Sequence, residues 1–588
     1  MLLFNSKKFS EKNKNIIIFS FVAVFAIQTL FFTEVYTINT PFADDYDAAV
    51  LAHSIIENKK ISYDELIFNQ YIDHRPIFPR LVVIASLLFD SFHVKNALYF
   101  GFMLMLISIF LLYKLLKKID RSLTWLLIPI SAFFFSPLQH LLFVSPFAGL
   151  QWQFPLLGTI AAVYFMSKDK LNNKSIVVAF FFSIIATFSD IIGLIIFIII
   201  IMSFYYVDKE RIKYLLIWIT LSSSVFFLYF KNLVISDNSL NFSYLFTIEG
   251  LSFILRFISV PFRLKYDYLV IPVGIISLLM FFGFSLYLIL IKKKQISSLP
   301  WLQIGLMSFF SAVVTELGRI GSISIPQRGD ATHYTMISNL SHIAILVFAS
   351  IILLDVIKNH KSNKYKQICS ILFVIFVITQ MVMLIPSYYL GWKLGNDYYD
   401  YEIKQHFCFI PSNYNPEFCK HLPSWPPSKI VELYNYLLEQ KFAMFSNFDL
   451  SKYNKEIFAD LPIMQNANSK NAIGHIEKVN GMNVSKLKSI EINESVVMIS
   501  GWILDPNKQK MDTVILLVDD EPFIKHDYFI PREDVFNEIN HNTDSYAGWE
   551  IGFLAGFIEK DCYTIHIVGI KNNEVFRLDQ EIELCKNF

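Results

Sequence analysis

The chain is expected to be a polytopic α-helical membrane protein that ends in a soluble, β-rich region. Three observations carry that expectation. Of its 588 residues, 54% are hydrophobic and only 17% charged, with a mean hydropathy of +0.45. That composition excludes an ordinary soluble domain. Apolar runs recur between residues 15 and 385, separated by short loops rich in Lys and Arg. Beyond residue 490 alternating strands with turn residues between them replace the helical runs. A net charge of +1 leaves no basic field for nucleic acid. The five cysteines form no close Cys/His cluster of the zinc type.

The elements follow from the basic loops. Lys7, Lys8, Lys12 and Lys14 precede the first apolar run, residues 15–32. No small-residue cleavage site follows it, so it reads as an anchor with a cytoplasmic N-terminus. Two runs, 77–92 and 97–113, separate it from the next basic loop, Lys114, Lys117, Lys118 and Arg121. An odd number of crossings is needed to return that loop to the cytoplasm. The first of the two carries Arg80 and Asp90 and is short for a span of about 20 residues, so it reads as a juxtamembrane or re-entrant helix. Crossings then follow at 123–138, 154–166, 175–188, 191–205, 214–230, 269–291, 301–314, 337–357 and 367–385. With the first two they make about 11, and the lysine clusters fall on one side throughout.

Residues 1–386 thus read as a transmembrane domain. Residues 387–489 read as an extracytoplasmic linker with one amphipathic run, 430–442, and 490–588 as a β-sandwich. Expected strands are Val496–Leu504, Thr513–Val518 and residues 562–568, with turns at Asp505-Pro506-Asn507, Asp519-Asp520 and Lys571-Asn572-Asn573. On the outer, oxidising side Cys408 with Cys419, and Cys562 with Cys585, are candidate disulfides. The competing reading is two pairs of buried thiols.

The chemistry-bearing residues gather on the outer face. The stretch Thr40-Pro41-Phe42-Ala43-Asp44-Asp45-Tyr46-Asp47 follows the first span directly. Capping of a helix accounts for one of its acids but not for three, and acids at the rim of a span are costly unless they serve a site. The other outer loops hold His74, Arg75 and Arg80; Gln139, His140, Gln151 and Trp152; Asp190 in a tight turn; Arg256 and Arg263; and Glu316, Arg319, Arg328, His333 and Tyr334. Headgroup contact is the bland reading for the arginines, and capping of the next helix is that for Asp190. The functional reading is transfer from a lipid-linked phosphate donor. Arginine matches phosphate oxygens with a fixed fork of donors. A carboxylate takes the proton of an acceptor hydroxyl, and fixed cations stabilise the leaving phosphate. No Gly-rich nucleotide loop occurs.

The order of a span, then "PFADDYD", then "DHRPIFPRL" resembles polytopic glycosyltransferases of the GT-C class. These are bacterial enzymes that use polyprenyl-phosphate sugars, the serotype-converting O-antigen glucosyltransferases among them. The resemblance covers roughly residues 15–390. It implies an inverting transferase in the bacterial inner membrane that moves a sugar from polyprenyl phosphate to a surface glycan such as lipopolysaccharide O-antigen. It implies Asp44 or Asp45 as the catalytic base or metal-binding acid and Asp190 as a later external acid. Arg75, Arg80, Arg319 and Arg328 would hold the donor phosphate. Asp47, His74, His333 and Tyr334 would contact substrate. In "ELGRIGSISIPQRGDATHY" His333-Tyr334 stands where related proteins carry Arg-Tyr, and Arg328 is the candidate substitute. Mg²⁺ or Mn²⁺ on Asp44 and Asp45 suits such a site, with the arginines as the alternative. "GWILDP", "PREDV" and "GWEIGF" look like an appended glycan-docking sandwich, in which Trp502 and Trp549 are either sugar platforms or core.

Other functions stay open on sequence. A flippase of lipid-linked sugars would carry ionisable residues in mid-span and broken helices in both halves. An O-antigen-type polymerase would join whole repeat units and has no need of acids directly after span one.

Overall fold

The computed structural model describes residues 11–39, 45, 70, 74–90, 93–168, 171–204, 209–233, 242–263, 267–292, 294–319, 331–409 and, with short gaps, 470–586. Contacts divide the chain into a first unit, Met1–Thr37 with Ser54–Tyr398, and a second, Ile38–His53 with Tyr399–Phe588.

The first unit is helical. Its main helices are α1 (Glu11–Tyr36), α2 (Ile77–Asp90), α3 (Val94–Ile119), α4 (Leu127–Phe134), α5 (Pro146–Met166), α6 (Asn173–Thr187), α7 (Leu194–Ile201), α8 (Lys209–Phe230), α9 (Ile248–Ser259), α10 (Val270–Leu286), α11 (Gln295–Arg319), α12 (Thr335–Asn359) and α13 (Asn363–Phe409). Among the described residues eight stretches are long and apolar enough to cross a membrane: Glu11–Tyr36, Val94–Ile119, Arg121–Gln139, Ile212–Phe230, Val270–Ile291, Ser297–Gly318, Thr332–Asn359 and Asn363–Tyr399. The other three expected crossings fall on α5, on α6 and on Ile191–Phe204, of which the last two are shorter apolar stretches.

Burial explains why these sequences tolerate so much exposed apolar surface. Along α1, Ile18, Val22, Ala26, Thr29, Phe32 and Thr33 are buried at helical spacing, while Ile16, Phe21, Val24, Ile27 and Phe31 point outward. The outward face of α13 is likewise Ile368, Ile371, Leu372, Ile375, Ile378, Val382 and Ile385. Side chains of this kind belong against lipid, where water need not be displaced. Polar side chains inside the bundle donate across helices instead. Asn339 donates to the Phe133 carbonyl at 2.7 Å, Trp218 to that of Phe197 at 3.0 Å, and Thr33 to that of Phe143 at 3.0 Å. In apolar surroundings each such bond fixes which helices are neighbours, because the unpaired group would be costly.

Charged groups sort the two ends of the unit. At one end Glu11 pairs with Lys117 and Arg121, Asp120 with Lys358, Asp355 with Lys292 and Lys294, and Lys118 donates to the Ser167 carbonyl. These are the lysine-rich loops that the sequence places on one side. At the other end Glu34 pairs with Lys95 and accepts from the Tyr99 hydroxyl. So α1 and α3 run antiparallel. Helix α2 starts and stops at this second end. The Phe78 N–H donates to the Phe188 carbonyl at 3.1 Å, and Asp90 leads within a few residues into the start of α3.

Two boundaries differ from expectation. Glu316 and Arg319 belong to helix α11 rather than to a loop. Helix α13 runs through Pro386 to Phe409, because the lost hydrogen bond of one proline is tolerated inside a long helix. The expected run 430–442 lies outside the described residues.

The second unit contains two sheets. β1 (Lys470–Asn471), β4 (Ser489–Ile492), β6 (Thr513–Val518), β7 (Glu521–His526), β9 (Cys562–Lys571) and β10 (Glu574–Lys586) form one, ordered β1-β10-β9-β6-β7 with β4 also on β10. β2 (Ile473–Val479), β3 (Met482–Asn483), β5 (Val496–Leu504) and β8 (Gly548–Leu554) form the other, ordered β3-β2-β5-β8. Ile476, Val497, Ile499 and Ile551 of one sheet and Val514, Leu516, Ile565, Ile567 and Ile582 of the other share a single buried core. Among the described residues the first strand starts at Lys470, earlier than the expected 490. Asp519 and Asp520 both have positive φ in the β6–β7 hairpin, as do Asn480 and Gly481 in the β2–β3 hairpin, the geometry a two-residue turn needs. Cys562 and Cys585, directly opposite on β9 and β10, are joined by a disulfide.

Candidate functional site

The polar end of the first unit is built around the start of α5. Gln151, Trp152 and Phe154 occupy one and a half turns there and reach three different elements. The Gln151 side-chain amide donates to Asp190 Oδ2 at 2.8 Å. The Trp152 ring lies 5.7 Å from both His333 and Tyr334. Phe154 packs on Phe78 at 6.0 Å. Pro155 follows, and a helix-interior proline has no N–H for the carbonyl of the residue four before it, here Gln151. Backbone and side chain of Gln151 are therefore both released from the helix ladder at the point where the site forms.

Asp190 is held on both oxygens. Its Oδ1 accepts from the Ile192 N–H at 3.0 Å and its Oδ2 from Gln151. It caps the short 3₁₀ turn Ile191–Gly193 and is 2% exposed. Gly193 permits this turn, since a Cβ there would sit 2.3 Å from the Ala186 carbonyl carbon and the Thr187 nitrogen. The capping reading of Asp190 thus describes what its carboxylate does in this structure.

Arg75 and Arg80 are fully buried at the start of α2. The Arg75 guanidinium donates to the Lys231 carbonyl, and burial lowers it from its ordinary value, with Tyr229 opposing. Phe188 lies 5.8 Å from Tyr229, so this arginine stands beside the turn that carries Asp190. His74 is half-buried. Tyr334 is buried and stacks on Phe257 at 4.9 Å, with His333 4.2 Å away. An apolar groove of about 430 Å³ opens beside these residues, lined by Phe78, Leu81, Val82, Ala85, Ala97, Phe100 and Phe154, with Ser86 and Asn96 its polar members.

No family model, curated protein or solved structure matches this chain.

The remaining expected residues fall elsewhere. Asp45 is fully buried and belongs to the second unit. Asp44, Asp47 and Arg328 lie outside the described residues, as does the side chain of Arg319. Among the described residues no group of three or more His, Cys, Asp or Glu side chains is arranged to hold a metal ion. Cys419 and the side chain of Cys408 also lie outside the description. In the second unit Trp549 is 1% exposed, inside the shared core, so the sugar-platform reading fails for it. Trp502 is only partly buried and lies edge-on to His475 at 5.9 Å.

Glu316 is the residue that sequence reading passed over. It was counted among the polar groups of the outer face without a role. Near the C-terminal end of α11 it is 3% exposed. The Gln303 amide of the same helix donates to the Ile199 carbonyl at 2.9 Å and the Ser203 hydroxyl at 2.7 Å. Thirteen residues on from Gln303 comes Glu316, and thirteen back along the antiparallel partner from Ser203 comes Asp190. At about 1.5 Å of rise per residue the two acids share roughly one depth, and α11 packs against the turn Ile191–Gly193 as that register requires. The signal was present in the sequence: an acid inside an otherwise apolar helix.

Proposed function

We propose that the chain is an inverting membrane glycosyltransferase of GT-C type, which moves one sugar from polyprenyl phosphate to a surface glycan. The observation that carries this reading is the groove. A small apolar groove lined by Phe78, Phe100 and Phe154 opens at the end of the helical unit that carries Arg75, Arg80, Gln151 and Asp190, and lysine-rich loops are gathered at the other end. A polyprenyl-phosphate sugar has the matching three parts: an apolar chain, a charged phosphate and a polyhydroxylated head. The groove suits the chain, Arg75 and Arg80 the phosphate, and the rim the sugar. The Cys562–Cys585 disulfide favours an oxidising, extracytoplasmic side for the second unit, where its partly exposed Trp502 would meet glycan.

In the reaction, an acceptor hydroxyl attacks the anomeric carbon as that carbon's bond to the phosphate oxygen breaks. The hydroxyl proton goes to a carboxylate, the role that the sequence resemblance gives to Asp44 or Asp45, and the bond electrons leave with polyprenyl phosphate. The test compares the glycans of cells with and without this chain by mass. A difference of one sugar per repeat unit supports transfer, and a change in repeat number alone favours polymerisation. At least one of Asp44→Asn and Asp45→Asn, checked for membrane insertion, should lower transfer at least about 100-fold. Full transfer by both variants removes the acid loop from the mechanism.

A further inference from the structure

We infer that Glu316 binds the hydroxyl groups of a sugar at the rim of the helical unit, a role that rests on the glycosyltransferase reading and gives it a recognition residue. Glu316 is 3% exposed and, among the described residues, has no hydrogen bond or ion pair. This separates it from every other buried acid of the unit. Asp190 has both oxygens filled, and Asp355 is paired with Lys292 and Lys294. A buried carboxylate left with empty acceptor positions is costly. A ligand that brings hydrogen-bond donors would fill them. The group beside it is the Tyr244 phenol, held above its ordinary value by burial and then by Glu316 and Glu249. No salt bridge from a described cation reaches Glu316.

The position suits a sugar. Glu316 stands at roughly the depth of Asp190, whose partner Gln151 precedes Trp152, and Trp152 meets Tyr334 on the same rim. Two oxygens of one carboxylate accept from two adjacent hydroxyls in the geometry that a pyranose ring offers. The nearness of the phenol adds an adaptable donor and acceptor. A carboxylate in this position selects among sugars by the orientation of two hydroxyls, since a misplaced hydroxyl leaves the acid buried and unfilled.

The experiment uses the full chain purified in detergent, with free neutral monosaccharides of differing hydroxyl orientation as probes. Thermal protection and Trp fluorescence are read as titrations. At least one sugar should protect the wild type saturably, and Glu316→Gln should weaken that affinity roughly tenfold or more. Glu316→Asp, which keeps the charge but withdraws it by one methylene, should fall between the two. Equal protection of wild type and Glu316→Gln overturns the inference. So does a Glu316→Gln enzyme with unchanged KM for acceptor and a lost acidic limb in its pH–rate profile, because that identifies a proton acceptor instead. If no sugar protects the wild type while cell glycans still change by one sugar, the inference fails and the transferase reading stands. If the glycans do not change at all, that reading fails first.

Discussion

Glu34 and Lys95 meet at 2.8 Å, at the opposite end of α1 from the pairs of Glu11 with Lys117 and Arg121. Glu34–Lys95 and Glu11–Lys117 join α1 and α3 antiparallel, and Glu11–Arg121 ties the start of α1 to the turn after α3. None of them adds much stability, since half-exposed pairs contribute about 0–1 kcal/mol each. Their value is geometric. They bring the start of α1 and the lysine-rich stretch 114–121 to one end of the helical unit.

Sidedness can be read chemically. Single cysteines at Lys95 and at Lys358 should react with a membrane-impermeant thiol reagent from opposite sides of the membrane, and a cysteine at Lys118 should behave as the one at Lys358. The measurement is labelling of intact spheroplasts against lysed ones. Same-side labelling of Lys95 and Lys358 would reverse the topology on which the outer site depends.

Asp190 should act first on stability. Asp190→Ala removes an acceptor from the Ile192 N–H and from Gln151, at a cost of about 1–3 kcal/mol. Asp190→Asn keeps one acceptor oxygen and should cost less. Gly193→Ala should be at least as harmful, because backbone rather than a flexible side chain stands 2.3 Å from the new Cβ. Thermal unfolding in detergent checks all three. An Asp190→Ala protein of unchanged stability that no longer transfers sugar would instead make this acid catalytic.

His140 makes the helical unit sensitive to acid. Burial holds its imidazole down to about 4 from an ordinary 6.5, with Arg263 adding to the fall and the Leu138 carbonyl and Asp397 opposing it. Above pH 6.5 neither folded nor unfolded chain carries the proton, and stability is flat. Between 6.5 and about 4 the unfolded chain binds a proton that the folded chain refuses, so stability falls as pH falls, and below about 4 it levels off. His140→Phe should flatten that slope in unfolding temperature measured from neutral pH down to about pH 4.

The disulfide should be formed in cells. Denatured protein taken without reductant should keep Cys562 and Cys585 blocked to alkylation, and the double Cys→Ala variant should lose about 2–4 kcal/mol from the second unit. Free thiols at both positions would place that unit in a reducing compartment and remove the docking role outside the membrane.

Much of this architecture was legible because its causes are local. Hydropathy and the lysine loops marked the helices, since transfer into lipid is decided stretch by stretch. Alternation and the Asp519-Asp520 turn marked β5, β6 and β9, and the Asn480-Gly481 turn of the β2–β3 hairpin was equally visible but passed over. What the chain could not disclose by itself are the choices made between helices remote in sequence. Gln151 fills Asp190 because α5 lies on α6. Trp549 faces the core and Trp502 does not, because side chains alternate across β5 and β8 and only one face of a sheet is buried. Glu316 is left open because its helix runs past a neighbour in one particular register, and register depends on packing that no local pattern records.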